Sequence, residues 1–256
     1  MPMIINPYRF GGGGGGGGAF TPSTDGSLLA HWDASDTGSI SQTANVVSSI
    51  ADQTANGYTL DVQGTPTDML TNVDTQNGLN VVTTPNSAVE KLVSADFTTG
   101  GGLTINGNLA VHMVVDIGVP TATNHSLLSV NGNNGYVEIN SSSTTQFDGN
   151  MNADNVDTAG SNQSLSGGPF SGYSIVSMIF DWGASTVTCY IGGTLRGTIA
   201  DYNLGQITAS GDCDVRPMCN RGANLCLPGH FAECCVTQDL TNRSDYETYL
   251  GSKWGV

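Results

Sequence analysis

Residues 170–198, FSGYSIVSMIFDWGASTVTCYIGGTLRGT, predict the centre of an antiparallel β-sheet. Residues 173–181 are rich in β-branched and aromatic side chains and are apolar at odd and even positions, which is typical of a strand covered on both faces. In residues 186–191 (TVTCYI) apolar and polar side chains alternate, as in a strand with one buried face. Gly192 and Gly193 can supply the positive φ angles of a two-residue hairpin. Three consecutive antiparallel strands are therefore predicted.

Other strands are expected on both sides of this stretch. Residues 109–117 (LAVHMVVDI) form a second nearly continuous apolar run, and we expect it to lie beside residues 173–181 in the sheet. Residues 126–130 and 136–139 flank a turn-rich segment and predict a hairpin. Residues 140–169 are polar and low in complexity, so we expect loops there around at most one weak strand.

The last residues change in character and predict a helix over residues 241–254 (TNRSDYETYLGSKW). Thr241 is the expected N-cap, and acidic residues fall in the early turns. One apolar stripe is expected to pack on the edge or outer face of the sheet, and it consists of Tyr246, Tyr249, Leu250 and Trp254.

The overall composition excludes several classes of partner. Only 11% of the 256 residues are charged, which favours short strands and polar turns over helices. Seven Lys and Arg oppose 22 Asp and Glu, for a net charge of -15, so we expect no binding to nucleic acid or to anionic membranes. No apolar run approaches the ~20 residues of a membrane span, and no signal-peptide pattern is present, so we expect no membrane insertion.

The chain begins with an apolar and aromatic peptide followed by eight consecutive glycines, MPMIINPYRFGGGGGGGGAF. Ordering such a glycine run costs roughly 1–2 kcal/mol per residue in backbone entropy, so one hypothesis is a disordered leader. The other hypothesis, which we favour, is an extended arm over residues 1–25 that docks into neighbouring subunits. Its predicted assembly anchors are Tyr8, Arg9, Phe10 and Phe20.

Four stretches recur in this order in one family: SLLAHWDASDTGSI, SIADQTANGYTL, STVTCYIGGTLRGT and DLTNRSDYETYLGSKWGV. With them, residues 26–256 resemble the concanavalin A-like lectin/glucanase (laminin-G-like) jelly roll, in the version found in virion proteins of tailed bacteriophages. The resemblance implies an all-β fold, a two-sheet antiparallel jelly-roll β-sandwich with a short C-terminal helix and the extended N-terminal arm. It also implies location in a virion assembled in the host cytoplasm.

On this basis we expect a virion structural protein at the tail tip, in a fibre or decorating the head. Its partners would be other virion proteins, copies of itself and host-surface carbohydrate. The alternative is a free carbohydrate-binding module or lectin without a role in assembly. Fold alone does not decide between these functions.

Enzymatic activity is not expected. Glycoside hydrolysis needs two facing carboxyl groups, and glucanases of this superfamily carry theirs in a Glu-x-Asp-x-x-Glu strand pattern. The four glutamates, Glu90, Glu138, Glu233 and Glu247, do not form this pattern. His112 lies inside an apolar strand, which indicates a core residue rather than a catalytic base. We therefore assign no catalytic residues.

Candidate glycan contacts are aromatic and amide side chains near loop tips, because aromatic rings stack on sugars and amides bond their hydroxyls. The candidates are Asn133, Asn134, Trp182, Tyr202 and Asn203. The same aromatic residues also commonly close the ends of a sandwich. Loops at residues 131–135, 201–203 and 212–214 offer oxygen ligands for calcium, but ordinary turn roles are favoured, so we expect no cofactor and no metal.

The six cysteines all lie in the last third of the chain and leave three hypotheses open. Assembly in a reducing cytosol favours free buried thiols, and an even number of cysteines permits disulfides. A zinc site would use Cys213, Cys219 and Cys226 with Cys234 or His230, at spacings longer than those of usual zinc motifs.

Overall fold

The computed structural model describes residues 19–64, 67–85, 91–94, 103–104, 107–120, 123–132, 135–155, 161–200, 212–220 and 226–256. Within these residues lie nineteen strands and one α-helix, α1, Arg243–Trp254. The strands are β1 Leu28–Asp33, β2 Ile40–Thr43, β3 Val46–Ile50, β4 Leu60–Gln63, β5 Thr75–Gln76, β6 Leu79–Asn80, β7 Val82–Thr84, β8 Lys91–Ser94, β9 Leu103–Thr104, β10 Leu109–Ile117, β11 Ser126–Gly132, β12 Gly135–Asn140, β13 Asn150–Asn155, β14 Ser161–Ser164, β15 Gly172–Asp181, β16 Thr186–Ile191, β17 Thr194–Ile199, β18 Asp212–Pro217 and β19 Gly229–Thr237.

Two antiparallel sheets pack face to face and confirm the predicted β-sandwich. The first sheet has the order β1-β19-β10-β15-β16-β17, with β7 paired to β19, and the second has the order β14-β13-β12-β11-β18-β9. Side chains from both sheets, such as Val111, Met178 and Ile139, share one buried cluster. A four-stranded sheet, β2-β3-β4-β8, and the two-stranded β5-β6 ribbon complete the architecture.

The predicted centre of the first sheet is confirmed. Strand β15 pairs with β10 on one side and with β16 on the other, which explains its apolar residues at both odd and even positions. Burial in β16 alternates strictly, with Val187, Cys189 and Ile191 in the core. Gly192 and Gly193 have φ angles of 59° and 71°, the conformation that a tight hairpin requires.

The segment before this centre differs from the prediction. Residues 140–169 hold two strands, β13 and β14, rather than at most one. Their composition is polar, but β13 extends the second sheet by pairing with β12, and Met151 and Ala153 reach the core. Backbone pairing and two inward side chains are sufficient for a strand that has weak intrinsic propensity.

Helix α1 covers the outer face of the first sheet. Leu250 and Trp254 are fully buried and pack with Val81, Val114 and Ala232, so this sheet is shielded on both faces. The helix begins at Arg243, two residues after the predicted start, and Asn242 rather than Thr241 occupies the N-cap position. Asp239 instead accepts hydrogen bonds from Thr241 and organises the preceding turn. At the other end Gly255 adopts the left-handed conformation that ends many helices.

A chain of polar contacts also fixes the helix to the sheet. His112 Nδ1 lies 3.0 Å from Ser177 Oγ, and this hydroxyl donates to Glu247 Oε1 over 3.1 Å. Arg243 donates to both oxygens of Glu247 and stacks 4.0 Å above the ring of Tyr190. Burial, together with the charge of Arg243, lowers the pKa of His112 to about 3, so the ring is neutral. His112 is therefore a core residue, in agreement with its position in the sequence.

The β5-β6 ribbon closes the C-terminal end of α1. Gln76 Nε2 donates to the carbonyl oxygen of Trp254 and Asn77 Nδ2 to that of Lys253, each over 2.9 Å. Terminal helix carbonyls have no partner within the helix, so these amides satisfy groups that would otherwise depend on water. The described helix is too short and too polar to cross a membrane.

Candidate functional site

A cleft of about 470 Å³ lies between β1 and the outer side of α1, and we call it the β1–helix cleft. Strand β1 forms its floor because the strand lies at the edge of the first sheet, beyond the part that the helix covers. The turn after β3 and the segment before β1 form its walls. Its lining residues are Thr21, Pro22, Ser23, Asp25, Leu28, His31, Asp33, Gln53, Thr54, Ala55 and Tyr249.

A buried network of charges holds the floor of the cleft in place. His31 Nε2 lies 2.7 Å from Glu233 Oε1, and Lys253 Nζ lies 2.7 Å from Glu233 Oε2. The same ammonium contacts Asp33 Oδ2 at 2.5 Å, and Trp254 Nε1 donates to Glu233 Oε2 over 2.7 Å. Strand pairing sets this geometry, because Asp33 lies directly opposite Glu233 in the β1-β19 register.

The network keeps Glu233 ionised although its side chain is fully buried. Burial alone would raise the pKa of Glu233, but the hydrogen bond from His31 and the charge of Lys253 outweigh it and lower this pKa below its ordinary value. Burial likewise opposes the charge on Lys253, and the carboxylates of Glu233 and Asp33 outweigh it and raise the pKa of Lys253. A general acid for glycoside hydrolysis needs a raised carboxyl pKa, which is the opposite of what Glu233 has.

A second anchor stabilises the back of the cleft. Asp25 Oδ2 accepts hydrogen bonds from Thr237 Oγ1 over 2.6 Å and from Tyr246 Oη over 2.8 Å. Asp25 Oδ1 accepts from the backbone N–H of Ser27. These bonds attach the segment before β1 to both β19 and α1. They therefore hold this wall of the cleft in place, and they occupy the carboxylate of Asp25.

The groups left for a ligand are hydrogen-bonding side chains beside an aromatic ring. Ser23 and Gln53 are exposed on the rim, and the half-buried Tyr249 forms part of the wall. The Ser23 hydroxyl lies 3.0 Å from Thr21 Oγ1, and Gln53 Nε2 donates to Asp36 Oδ2 over a long 3.4 Å, so both side chains keep hydrogen-bonding capacity for a ligand. The charged groups beneath them are already paired. This arrangement suits a ligand rich in hydroxyl groups, because one ring face can pack against Tyr249 while the rim amide and hydroxyl groups bond its oxygens.

Metal binding is a second chemistry that the cleft floor could offer. His31, Glu233 and Cys235 carry ligand atoms that all lie within 4.8 Å of one another. The ammonium of Lys253 already supplies positive charge to Glu233 at 2.7 Å, and burial raises the pKa of Cys235 well above its ordinary value. Zinc binds the thiolate, so both features oppose a metal at this position.

The predicted glycan contacts lie elsewhere or outside the described residues. Trp182 is 45% exposed at the β15-β16 turn, where its backbone N–H donates to Asn108 Oδ1, and it does not line the cleft. Asn133, Asn134, Tyr202 and Asn203 lie outside the residues that the structure describes, as do the anchors Tyr8, Arg9 and Phe10. Their roles stay predictions. The fourth anchor, Phe20, packs edge-on against Tyr246 with ring centroids 4.9 Å apart.

Two acidic residues of the second sheet, Glu138 and Asp214, are buried and hydrogen-bonded. Arg216 donates to both carboxylate oxygens of Asp214 at 3.0 and 2.7 Å, and Asn131 Nδ2 donates to Asp214 Oδ1 over 2.7 Å. Glu138 accepts from Asn140 Nδ2 over 3.2 Å. Strand β11 separates the strands of Glu138 and Asp214, so neither strand carries both carboxylates. The expectation of no enzymatic activity stays a prediction.

The six cysteines include both a disulfide and free buried thiols, which were two of the three hypotheses. Cys219 and Cys226 form a disulfide, which removes two of the ligands proposed for zinc. The other four, Cys189, Cys213, Cys234 and Cys235, are free and buried. Burial raises the pKa of Cys189 to about 12 despite the nearby charge of Arg196, so this thiol stays protonated.

Sequence reasoning missed the β1–helix cleft because its groups come from opposite ends of the chain. The stretches that carried the family resemblance, WDASD and YLGSKWG, contain Asp33, Lys253 and Trp254. The one available signal was a buried-strand glutamate, Glu233, in a run otherwise apolar. A charge in such a position requires a partner, and the rare lysines and arginines of this chain leave few choices.

Comparisons with known proteins support the fold. No protein-family model and no curated protein match the sequence. The binding domain of Paraclostridial mosquitocidal protein 1 superposes with a TM-score of 0.54 and 12% identity over 89% of this chain and 52% of that chain. Botulinum neurotoxin type C, which interacts with two ganglioside molecules, gives a TM-score of 0.54 and 12% identity over 88% and 51%. The binding domain of botulinum neurotoxin DC in complex with SialylT gives 0.55 and 10% over 88% and 51%.

This chain therefore spans about half the length of these solved structures. At such low identity the likeness establishes a shared β-sandwich fold. Ligands named for the larger proteins belong to those proteins, and the phage family suggested by the sequence stays a prediction. The chain has a β-sandwich fold similar to that of these toxin binding domains.

Proposed function

We propose that this protein is a lectin-like display module that binds a carbohydrate in the β1–helix cleft. The observation that carries the proposal is the cleft itself, in which exposed hydrogen-bonding groups and the ring of Tyr249 stand above a rigid, fully paired floor. Its volume of about 470 Å³ falls within the range of roughly 300–1,000 Å³ typical of small-molecule sites. Preorganised walls reduce the entropy lost on binding, which favours recognition of small polar ligands.

The negative charge around the β1–helix cleft favours uncharged over acidic sugars. The chain carries a net charge of -15, and Asp25 and Asp33 lie on the cleft wall. The cation beneath them, Lys253, is already bridged between Asp33 and Glu233. None of the described residues that line the cleft is a lysine or arginine, so a carboxylate-bearing sugar would meet like charge there, and the expected ligands are uncharged saccharides.

We further propose that this module works while attached to a virus particle. Resemblance to phage virion proteins and the glycine-linked peptide at residues 1–18 support a particle-bound protein, with the peptide as attachment device and the sandwich turned towards host-surface carbohydrate. A tethered, repeated binding module gains avidity even when each copy binds weakly. A free lectin without an assembly role is the alternative.

Glycan binding is testable with the full chain. Screening on an array of neutral and sialylated glycans should give binding to uncharged sugars, and calorimetry should give the affinity. Removing one rim hydrogen bond with Gln53→Ala should weaken that affinity about 5- to 10-fold, since a net hydrogen bond contributes about 1 kcal/mol. Gln42→Ala, at an exposed glutamine outside the cleft, should leave it unchanged. Preferential binding of sialylated glycans, or equal affinity of the Gln53→Ala variant, would contradict the assignment.

A further inference from the structure

A second depression runs along the solvent side of α1, and we call it the helix groove. It has a volume of about 560 Å³. Its lining is Ala19, Phe20, Thr21, Asp245, Thr248, Tyr249, Ser252 and Lys253. The rings of Phe20 and Tyr249 and the methyl groups of Ala19 and Thr248 give it an apolar surface, with one carboxylate at the end where the helix begins.

The chain leads directly from this groove to the N-terminal peptide. Phe20 is held against the buried Tyr246, so the point at which the described chain starts is fixed beside α1. Eight glycines at residues 11–18 precede it. Fully extended, eight residues span about 26–29 Å, enough for residues 1–10 to reach a groove on a neighbouring molecule.

The chemistry of that peptide complements the groove. Residues 1–10 (MPMIINPYRF) combine aliphatic and aromatic side chains with Arg9, which is the first Lys or Arg of the chain and is followed by none until Lys91. In the groove, Asp245 is exposed and has no ion-pair partner among the described residues. An arginine next to two aromatic residues can pair with this carboxylate while the rings cover the apolar surface.

We propose that the helix groove receives residues 1–10 of a second copy of this chain, with Tyr8 and Phe10 on the apolar surface and Arg9 paired with Asp245. The inference rests on the proposed assembly role, which requires contact between copies. Docking of residues 1–10 into the groove of their own molecule is the competing arrangement, and the cross-linking experiment below distinguishes the two. Exchange between two copies gives a reciprocal contact that buries the same surface on both.

Disulfide trapping between different molecules tests this directly. Two full-length variants are mixed, one with Phe10→Cys and one with Thr248→Cys, and oxidised mildly. The four native free thiols are buried, so they do not compete. The expected product is a covalent heterodimer. Phe10→Cys mixed with Thr194→Cys, at another exposed threonine outside the groove, should give at least 5-fold less heterodimer.

Charge exchange provides the second measurement. Introducing Arg9→Asp into the first variant should reduce the heterodimer yield at least 5-fold, and adding Asp245→Arg to the second should restore it. Equal yields at Thr248 and Thr194, or cross-linking only within one molecule when both cysteines are placed in the same chain, would overturn the proposal. The helix groove shares Thr21 and Tyr249 with the β1–helix cleft, but the substituted residues Asp245 and Thr248 do not line that cleft. Glycan affinity of the unlinked variants, measured in parallel, therefore reports on the cleft, so failure of one role is distinguishable from failure of the other.

Discussion

Replacing Lys253 by methionine should be among the most damaging single changes outside the core. The substitution keeps a long apolar stem but removes the ammonium that bridges Asp33 and Glu233 at 2.5 and 2.7 Å. Removing one partner of a buried ion pair typically costs about 3–5 kcal/mol, because the other charge is left uncompensated. Lys253 is 19% exposed and Glu233 keeps its bonds from His31 and Trp254, so we expect a value near the lower limit, about 3 kcal/mol.

Urea unfolding followed by tryptophan fluorescence would measure this loss. With a slope near 3 kcal/mol per molar, the midpoint should fall by about 1 M. The neighbouring exposed Ser252→Ala should change the free energy of unfolding by no more than about 0.5 kcal/mol. Adding Glu233→Gln to Lys253→Met should recover at least about 1 kcal/mol, because it removes the stranded charge.

The contribution of Glu233 and Lys253 to the free energy of unfolding should also depend on pH. The lowered pKa of Glu233 contributes stability that is present above the unfolded-state value and is lost as pH falls through the folded-state value. The raised pKa of Lys253 contributes stability that is present below its ordinary value and is lost only at higher, strongly alkaline pH. The difference between wild type and Lys253→Met should therefore be largest near neutral pH and narrow in acid. A loss below about 1 kcal/mol at pH 7, or no recovery in the double variant, would refute the reasoning.

Two other substitutions, at Gly229 and His230, test how the start of strand β19 contributes to stability. Gly229→Ala should cost about 3 kcal/mol in urea unfolding, because its φ is 155° and a Cβ there would meet the carbonyl oxygen of Asp116. Gly26→Ala, with open space around the Cβ, is the control, and equal midpoints for the two would contradict this explanation. His230 lies 3.0 Å from Asp116 and 3.1 Å from Asp74, and the hydrogen bond to Asp116 is the main cause of its raised pKa. Its contribution should be present below the ordinary histidine pKa and disappear as pH rises through the raised value, so His230→Gln should flatten the stability profile there; an NMR titration showing no raised pKa would argue against it.

Much of the fold could be predicted from local pattern. Alternation in β16 and the double-sided apolar runs of β10 and β15 identify strands and their neighbours, since burial imposes a period of two on a half-covered strand. The strands in residues 140–169 were harder to identify, because β13 has only two apolar residues, Met151 and Ala153, and its alternation is therefore weak. Its pairing with β12 is a tertiary contact that residues 140–169 do not encode locally.

The β1–helix cleft could not be predicted from the sequence for a related reason. His31 and Glu233 are 202 positions apart, and their contact depends on the register between β1 and β19. A sequence shows which residues need partners but not which strands become neighbours in the sheet. The predicted glycan contacts were chosen from their position in loops alone. Of these residues the structure describes Trp182, which lies in the β15-β16 turn and does not line the cleft.

The pairing of β1 with β19 sets an order of events during synthesis. Trp32 lies opposite Cys234, so the edge strand that carries the cleft floor has no partner until about 200 further residues have left the ribosome. At roughly 5–20 residues per second, that interval is about 10–40 s. Among the described strands β1 pairs with β19 alone, so for this time it is an unpaired strand next to an incomplete core. The first sheet can close on this edge only after residues 229–237 have been made.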